Sequence, residues 1–260
     1  MKRTITNTRI IVTGASSGIG RAVSLELARG GANLVVVARR EDRLRQLADQ
    51  ITGLGRTVEP VVGDITDLAI RQKAIDAARE KLGGLDILLN NAGVGALGPF
   101  ADASVQRVRQ VMEVNFFATV EMTRLALPLL RRGVKPMVVN VSSIVGNRGV
   151  PNRSEYSASK FAVKGFSEAI RAEFSALGID VLVVSPGPTE TEFFDKEIER
   201  TKDANWPEHS PVSAARVARE MVAAMRAGRH EIIPYHWGRV LCWLNRLSPR
   251  LVDSLMTRYV

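Results

Sequence analysis

The chain has 260 residues, with 36 Lys and Arg against 27 Asp and Glu, a formal net charge of +9. Its 45% hydrophobic and 24% charged residues are ordinary globular values, which excludes a disordered, collagenous or coiled-coil chain. A single Cys, Cys242, excludes an intramolecular disulfide or a thiolate cluster, and no metal site is evident. No apolar run approaches the roughly 18 residues a membrane span needs. The opening MKRTITNTRIIVTG passes from polar residues straight into a strand, without the apolar core of a signal peptide, so the expected compartment is the cytoplasm. Arginines are scattered singly, paired only at 39–40 and 131–132, with no basic tail, zinc-finger spacing or RNP-like aromatic motif, so no nucleic-acid partner is expected.

Short β-branched runs alternate with segments of helical period along the chain. Strands are predicted at 9–13, 33–38, 58–62, 86–90, 137–142, 180–185 and 230–234. The intervening segments carry apolar residues three and four apart, as in Leu44, Leu47, Ala48 and Ile51. Apolar runs without alternation suit strands covered on both faces, and strand–helix alternation implies a parallel sheet with right-handed crossovers. The expected fold class is therefore α/β. One domain is predicted over 1–235, followed by an amphipathic helical tail over 236–260.

Directly after the first strand comes Thr13-Gly14-Ala15-Ser16-Ser17-Gly18-Ile19-Gly20, opening a helix. The spacing is G-x-x-x-G-x-G rather than the commoner G-x-G-x-x-G, but the physics is shared. Glycines permit a tight turn and close approach to a pyrophosphate, and the helix N-terminus offers unpaired N–H groups. The alternative is a turn that serves chain geometry alone. The second strand ends in Ala38-Arg39-Arg40, where an NAD-selective site wants a carboxylate for the ribose 2′-hydroxyl. Ala38 cannot supply one, whereas Arg39 can fork onto a 2′-phosphate, so NADP(H) is favoured over NAD(H). Solvation at the start of the next helix is the other reading of Arg39 and the expected one for Arg40. Asp64 either accepts from the adenine amino group or caps the helix that follows Thr66 or Asp67.

The fourth strand runs into Asn90-Asn91-Ala92-Gly93, small residues against which a cofactor can lie. The fifth ends in Val141-Ser142-Ser143, and a helical stretch then carries Tyr156-Ser157-Ala158-Ser159-Lys160. Tyr and Lys at i and i+4 share one helix face. A free phenol has a pKa near 10, and a neighbouring ammonium, helped by the positive charge of an oxidised nicotinamide, favours its ionised form and moves it toward working pH. A Tyr-x-x-x-Lys alone is a weak signal; its weight here comes from following the Ser-Ser strand end in a chain with a glycine-rich loop.

TGASSGIG, NNAG, Asn115, Ser143, Tyr156-x-x-x-Lys160 and Pro186-Gly187 resemble, in order and spacing, the short-chain dehydrogenase/reductase family, across residues 8–235. The resemblance implies a Rossmann-like, doubly wound domain with a seven-stranded parallel sheet and helices on both faces. It also implies hydride transfer between nicotinamide and a carbonyl or alcohol. Tyr156 would be the general acid or base, and Ser143 would hydrogen-bond the substrate oxygen. Lys160 would hold the nicotinamide ribose, and Asn115 a water beside Lys160. A buried amide at a helix distortion is the plainer account of Asn115. Family spacing selects Ser143 over Ser142, as does strand alternation. The cofactor set comprises Gly14, Ser16, Ser17, Gly18, Ile19, Gly20, Arg39, Asp64, Ile65, Asn91, Ala92, Gly93, Tyr156, Lys160, Pro186, Gly187, Thr189 and Thr191. A homodimer or homotetramer built on the helices near 104–131 and 154–177 is implied as well.

The same resemblance puts the substrate pocket among Val94–Leu97, Ile144–Glu155 and the stretch from Thr191 to about Pro211, where Phe193, Phe194 and Trp206 suit an apolar lid. Glu190 and Glu192 are expected as solvated acids at a helix start. Arg148 and Arg153 are candidates for an anionic substrate group, but the balance favours an uncharged or largely apolar small molecule. His209, His230 and His236 are expected to be structural or exposed. In the tail, Trp237, Val240, Leu241, Leu244 and Leu247 form a stripe. Ser248-Pro249 then starts a second helix with Leu251, Val252, Leu255, Met256 and Tyr259. From Arg226 onward there are six Arg against two acids. The tail docks on protein or lies in a membrane interface. Besides an NADP(H)-dependent oxidoreductase, an NADP(H)-binding sensor or scaffold without turnover and an NAD(H)-dependent alcohol dehydrogenase stay open.

Overall fold

A computed structural model describes residues 3–193, 197–199 and 211–259. The chain runs through β1 (Arg9–Thr13), α1 (Gly18–Arg29), β2 (Asn33–Ala38), α2 (Glu41–Gly53), β3 (Val58–Val62), α3 (Leu68–Lys81) and β4 (Ile87–Asn90). A helical stretch follows: α4 (Val105–Met112), a π-helical turn (Glu113–Phe117) and α5 (Ala118–Leu130). Then come β5 (Met137–Val141), α6 (Ser154–Ser175), β6 (Asp180–Val184) and the two-residue strands β7 (Thr189–Glu190) and β8 (Val212–Ser213). The described chain closes with α7 (Ala214–Ala227), β9 (Glu231–Ile232), α8 (His236–Leu247), α9 (Pro249–Met256) and a last 3-10 turn at Thr257–Tyr259.

Seven strands form one parallel sheet in the order β3-β2-β1-β4-β5-β6-β9, while β7 and β8 pair separately. This is the expected seven-stranded, doubly wound architecture, with the last strand shortened to two residues. Successive residues of one strand feed opposite cores. Ile10, Val12, Leu34 and Val36 pack toward α1, α2 and α7, whereas Ile11, Val35, Val37 and Leu88 pack toward α3, α5 and α6. Covering both faces is why these strands read as unbroken apolar runs. The strand order turns outward in both directions from β1 and β4. That reversal opens a crevice beyond their carboxyl ends.

Asn90 and Asn140 within the apolar strands and Asp86 just before β4 are buried polar residues, and all three are satisfied. Asn90 donates to Asn140 Oδ1 at 2.9 Å and to Thr123 Oγ1 at 3.1 Å, and Asn140 passes the chain on to Ser167 Oγ at 2.9 Å. At the other end of the sheet, buried Asp86 accepts from the Arg9 and Val134 N–H groups and pairs with the Arg9 guanidinium at 2.6 Å. That guanidinium and the two N–H donors hold the Asp86 carboxyl below its ordinary range against the opposing effect of burial.

The tail forms the two predicted helices, with Pro249 at the first position of α9, although the Ser248 hydroxyl makes no capping bond. Arg148 ties them to the body, donating to Asn245 Oδ1 at 3.0 Å and to Asp253 Oδ1 at 2.5 Å, so it is not directed at a substrate. Val252 is buried beneath the helices, and Gly238 lies against Ile144, where a Cβ would come within 2.7 Å. The opposite face leaves Trp237, Trp243, Leu247, Leu251 and Leu255 exposed. Among the described residues no helix is long and apolar enough to cross a membrane.

Candidate active site

The glycine-rich turn sits at the crevice because β1 delivers it there. Gly14 holds φ +67°, open chiefly to glycine, and α1 begins at Gly18 with no side-chain cap from Ser17. Gly20 packs so closely that a Cβ would lie 2.2 Å from the Gly14 carbonyl oxygen and 2.5 Å from Asn91 Nδ2. Asn91 donates to the Thr13 and Gly14 carbonyls at 3.0 and 3.2 Å, while the Thr13 hydroxyl accepts from the Asn91 and Ala92 N–H groups at 3.0 Å each. The NNAG turn is thereby bolted to the glycine loop. Thr191, from the segment after β6, reaches across to touch Gly18, where a Cβ would meet its methyl at 2.9 Å.

These pieces line one cleft of about 560 Å³. Its wall contains Gly14, Ser16 to Ile19, Arg39, Asp64, Ile65, Asn91 to Gly93, Ser143, Tyr156, Lys160, Pro186, Gly187, Thr189 and Thr191. Gly20 and Asn115 stand behind that wall. Asn115 lies in the π-helical turn, buried, accepting from Val94 N–H at 2.8 Å and donating to Val94 O and Ser159 Oγ. It thus serves the local helix distortion, and it also neighbours Lys160. A Cβ at Gly93 would lie 3.2 Å from Asn115 Oδ1 and 3.5 Å from Lys160 Nζ.

At the other end of the cleft, α6 presents Tyr156 and Lys160, with the Lys160 ammonium 5.7 Å from the phenol ring centre. Lys160 Nζ donates to the Val141 carbonyl at the end of β5, at 3.0 Å. The two adjacent serines diverge as alternation requires: Ser142 Oγ donates to the Lys160 carbonyl, while Ser143 hydrogen-bonds the Tyr156 side chain. Opposite Tyr156 stand the Phe193 ring, 5.6 Å centre to centre, and an Arg153–Glu197 ion pair at 2.5 Å. Phe194, Trp206, Pro207 and His209 lie outside the described residues.

The family model described as short chain dehydrogenase matches residues 8–202. The chain belongs to the short-chain dehydrogenase family. It is 36% identical to the 11-beta-hydroxysteroid dehydrogenase-like 4A of Arabidopsis thaliana over 94% of this chain and 82% of that protein. It is 34% identical to the hydroxysteroid 11-beta-dehydrogenase 1-like protein of Xenopus tropicalis, over 98% and 88% respectively. Among solved structures, a short chain dehydrogenase/reductase from Burkholderia phymatum in complex with NAD superimposes with TM-score 0.86 at 25% identity, covering 96% of both chains. One from Burkholderia cenocepacia J2315 in complex with NADP gives 0.79 at 26% identity, over 89% of this chain and 97% of that one. A nicotinamide nucleotide therefore belongs in the cleft, and the glycine turn, packed tightly on the NNAG turn through Gly14 and Gly20 and opening the N-terminus of α1, suits its pyrophosphate.

Several expectations need correction in this short-chain dehydrogenase. Lys160 does not pull the phenol below its ordinary range. Burial pushes Tyr156 up to about 12, with the Ser143 hydrogen bond and the Arg153 charge pulling back and Glu197 adding to the rise. Burial likewise brings Lys160 down to about 8. Arg40 is not a solvated helix-start residue, since Nε donates to Ser16 Oγ at 3.3 Å and Nη1 to Glu192 at 2.7 Å. Nor is Glu192 a solvated acid. Glu190 is exposed in β7, and Glu192 is clasped by Arg40 and Arg43, which hold its carboxyl down near 2. Asp64 accepts from Thr66 N–H at 3.0 Å and lies 3.5 Å from Arg39, while Asp67 caps α3. Thr13 carried no signal beyond its place at the end of β1, and its bonds to Asn91 and Ala92, like the meeting of Arg153 and Glu197, come only through the fold.

Because Gly20 has no room for a methyl group, Gly20→Ala is expected to weaken NADPH binding more than about tenfold while leaving the circular dichroism of the folded chain intact. Fluorescence titration of NADPH reads this, and wild-type affinity in the variant would remove the loop from the binding site.

Proposed function

We propose that this short-chain dehydrogenase is an NADP(H)-dependent oxidoreductase that interconverts a carbonyl and a secondary alcohol on an uncharged, largely apolar small molecule. The observation that carries the reading is the convergence of Tyr156, Ser143 and Lys160 on the cleft that also holds the glycine loop. When bound, the nicotinamide supplies or accepts the hydride. Tyr156 gives its proton to the carbonyl oxygen, and its raised pKa keeps that proton in place at neutral pH. Ser143 hydrogen-bonds the same oxygen as charge develops on it. Lys160 would hold the nicotinamide ribose, with Asn115 supporting Lys160 from behind, and Thr191 would serve the carboxamide.

The preference for NADP(H) rests on Ala38, which offers no carboxylate, and on Arg39 and Arg40, which line the cleft just beyond it. Arg40 and Arg43 already hold a carboxylate, that of Glu192, so this corner accommodates an anion. Two relatives are named for hydroxysteroid dehydrogenases, which supports a lipophilic alcohol or ketone here. Residues 1–235 act as the catalytic unit, and 236–260 as an appended tail. The enzyme is assigned to the cytoplasm as a homodimer or homotetramer, with exposed Val105, Phe117 and Phe161 on α4, its π-helical extension and α6 available to a second copy. The exposed Trp237, Trp243, Leu247, Leu251 and Leu255 favour peripheral contact with a membrane surface.

Three measurements test these statements. Tyr156→Phe is expected to lower NADPH oxidation with a ketone panel by roughly a hundredfold to ten-thousandfold while NADPH still binds; equal turnover sinks the acid role, and no turnover in wild type favours the sensor alternative. In the Arg39→Asp, Arg40→Ser double variant the ratio of kcat/KM for NADPH over NADH should fall by about a hundredfold, whereas a wild type indifferent to the phosphate assigns the enzyme to NAD(H). Full-length protein should pellet with anionic liposomes, and a chain ending at Pro234 should not; equal pelleting removes the membrane contact.

A further inference from the structure

Arg153 precedes α6 by one residue, and Glu197 comes from the segment after β7, yet they meet beside the Tyr156 ring on the substrate side of the cleft. Arg153 Nη1 donates to Glu197 Oε1 at 2.5 Å, with the two side chains only 8% and 0% exposed. The Glu197 stem lies on Gly95, where a Cβ would come within 3.0 Å of Glu197 Cγ. The Ile198 N–H donates to the Gly95 carbonyl at 2.9 Å, so the backbone fixes the carboxylate as well. Only one carboxylate oxygen is used. Glu197 Oε2 is buried and has no hydrogen-bond partner among the described residues. Leu97, Val145 and Phe193 line the same cleft as apolar neighbours.

A buried carboxylate oxygen without a donor is unfavourable, and native interiors seldom leave one so. Its negative charge is balanced by Arg153, so the position lacks a donor rather than a cation. We infer that Glu197 Oε2 anchors a hydroxyl group of the substrate, and that the enzyme selects hydroxylated ketones over the same ketones without a free hydroxyl. The inference rests on the proposal that Tyr156 and Ser143 bind the carbonyl, because that fixes which end of the substrate enters the Glu197 pocket. Glu197 is then a specificity-determining residue. A site built to pair a substrate hydroxyl discriminates strongly, since an analogue lacking the group leaves the acceptor unpaired.

The test uses full-length enzyme loaded with NADP+, which binds a ketone without reducing it. Calorimetric titration compares meta- and para-hydroxyacetophenone with acetophenone and with their methyl ethers. At least one hydroxyketone is expected to bind about tenfold more tightly than both its ether and acetophenone. In Glu197→Gln the amide oxygen faces Arg153 and the amide NH2 faces the substrate, so the preference should disappear; Tm and NADP+ affinity check that the variant folds. A wild type that favours neither hydroxyketone overturns the anchor, with or without a folded variant, and so does a preference that survives Glu197→Gln. Turnover is read separately with NADPH: absent reduction with an intact binding preference would overturn the oxidoreductase reading and leave the Glu197 anchor standing.

Discussion

Two ionisable side chains one helical turn apart are withdrawn from water, and the cleft is organised around that constraint. Tyr156 and Lys160 are both buried, the phenol pushed up to about 12 and the ammonium down to about 8. Creating charge on either group in place costs roughly 3 kcal/mol more than in water. The fold supplies fixed dipoles instead of solvent: the Val141 carbonyl at the end of β5 receives the Lys160 ammonium, and Ser143 meets the phenol. In the reductive direction this desolvation has a useful sign, because an acid with a raised pKa stays loaded with its proton. Lys160 has the opposite sign: below about 8 it is charged, and burial then works against the folded state.

The basic excess of the chain finds part of its purpose in the segment after β6. Glu192 is held by Arg40 and Arg43 from α2 and its cap, Glu197 by Arg153 at the entrance to α6, and Glu199 lies 3.8 Å from Arg107 of α4. Ser104 adds a hydrogen bond to Glu199 at 2.6 Å. Three acids of one segment are thus fastened to three separate elements around the crevice, although their positions in the chain suggest nothing more than solvated charges. Arg107 itself is buried against Glu155, the residue before Tyr156, so the same arginine that steadies the segment also steadies the start of α6. Arg148 plays a comparable part for the tail, which explains how two helices with exposed tryptophans remain attached to the body.

Asn115 illustrates how one residue answers two readings at once. Its amide satisfies both backbone groups of Val94 and reaches Ser159 from within a π-helical turn, which is the role of a structural amide. The widened turn is also what sets that amide close to Gly93 and Lys160. Periodicity could not separate the alternatives, because a turn of five residues is too short to display a period of its own.

The seven strands and the glycine turn on β1 were legible in the sequence because each depends on residues within a few positions of one another, and the parallel pairing because strands alternate with helices along the whole chain. Strand burial dictates β-branched runs, and a turn at Gly20 too tight for a Cβ dictates glycine. The tertiary structure alone decided the charges: that Arg40 turns inward to Ser16, that Glu192 is clasped, that Arg148 serves the tail, and that Glu197 meets Arg153 with one oxygen to spare. It also reversed the expected direction of the Tyr156 shift, because burial is a property of everything packed around a side chain. Long-range pairing and desolvation depend on distances through space, which no local pattern of residues encodes.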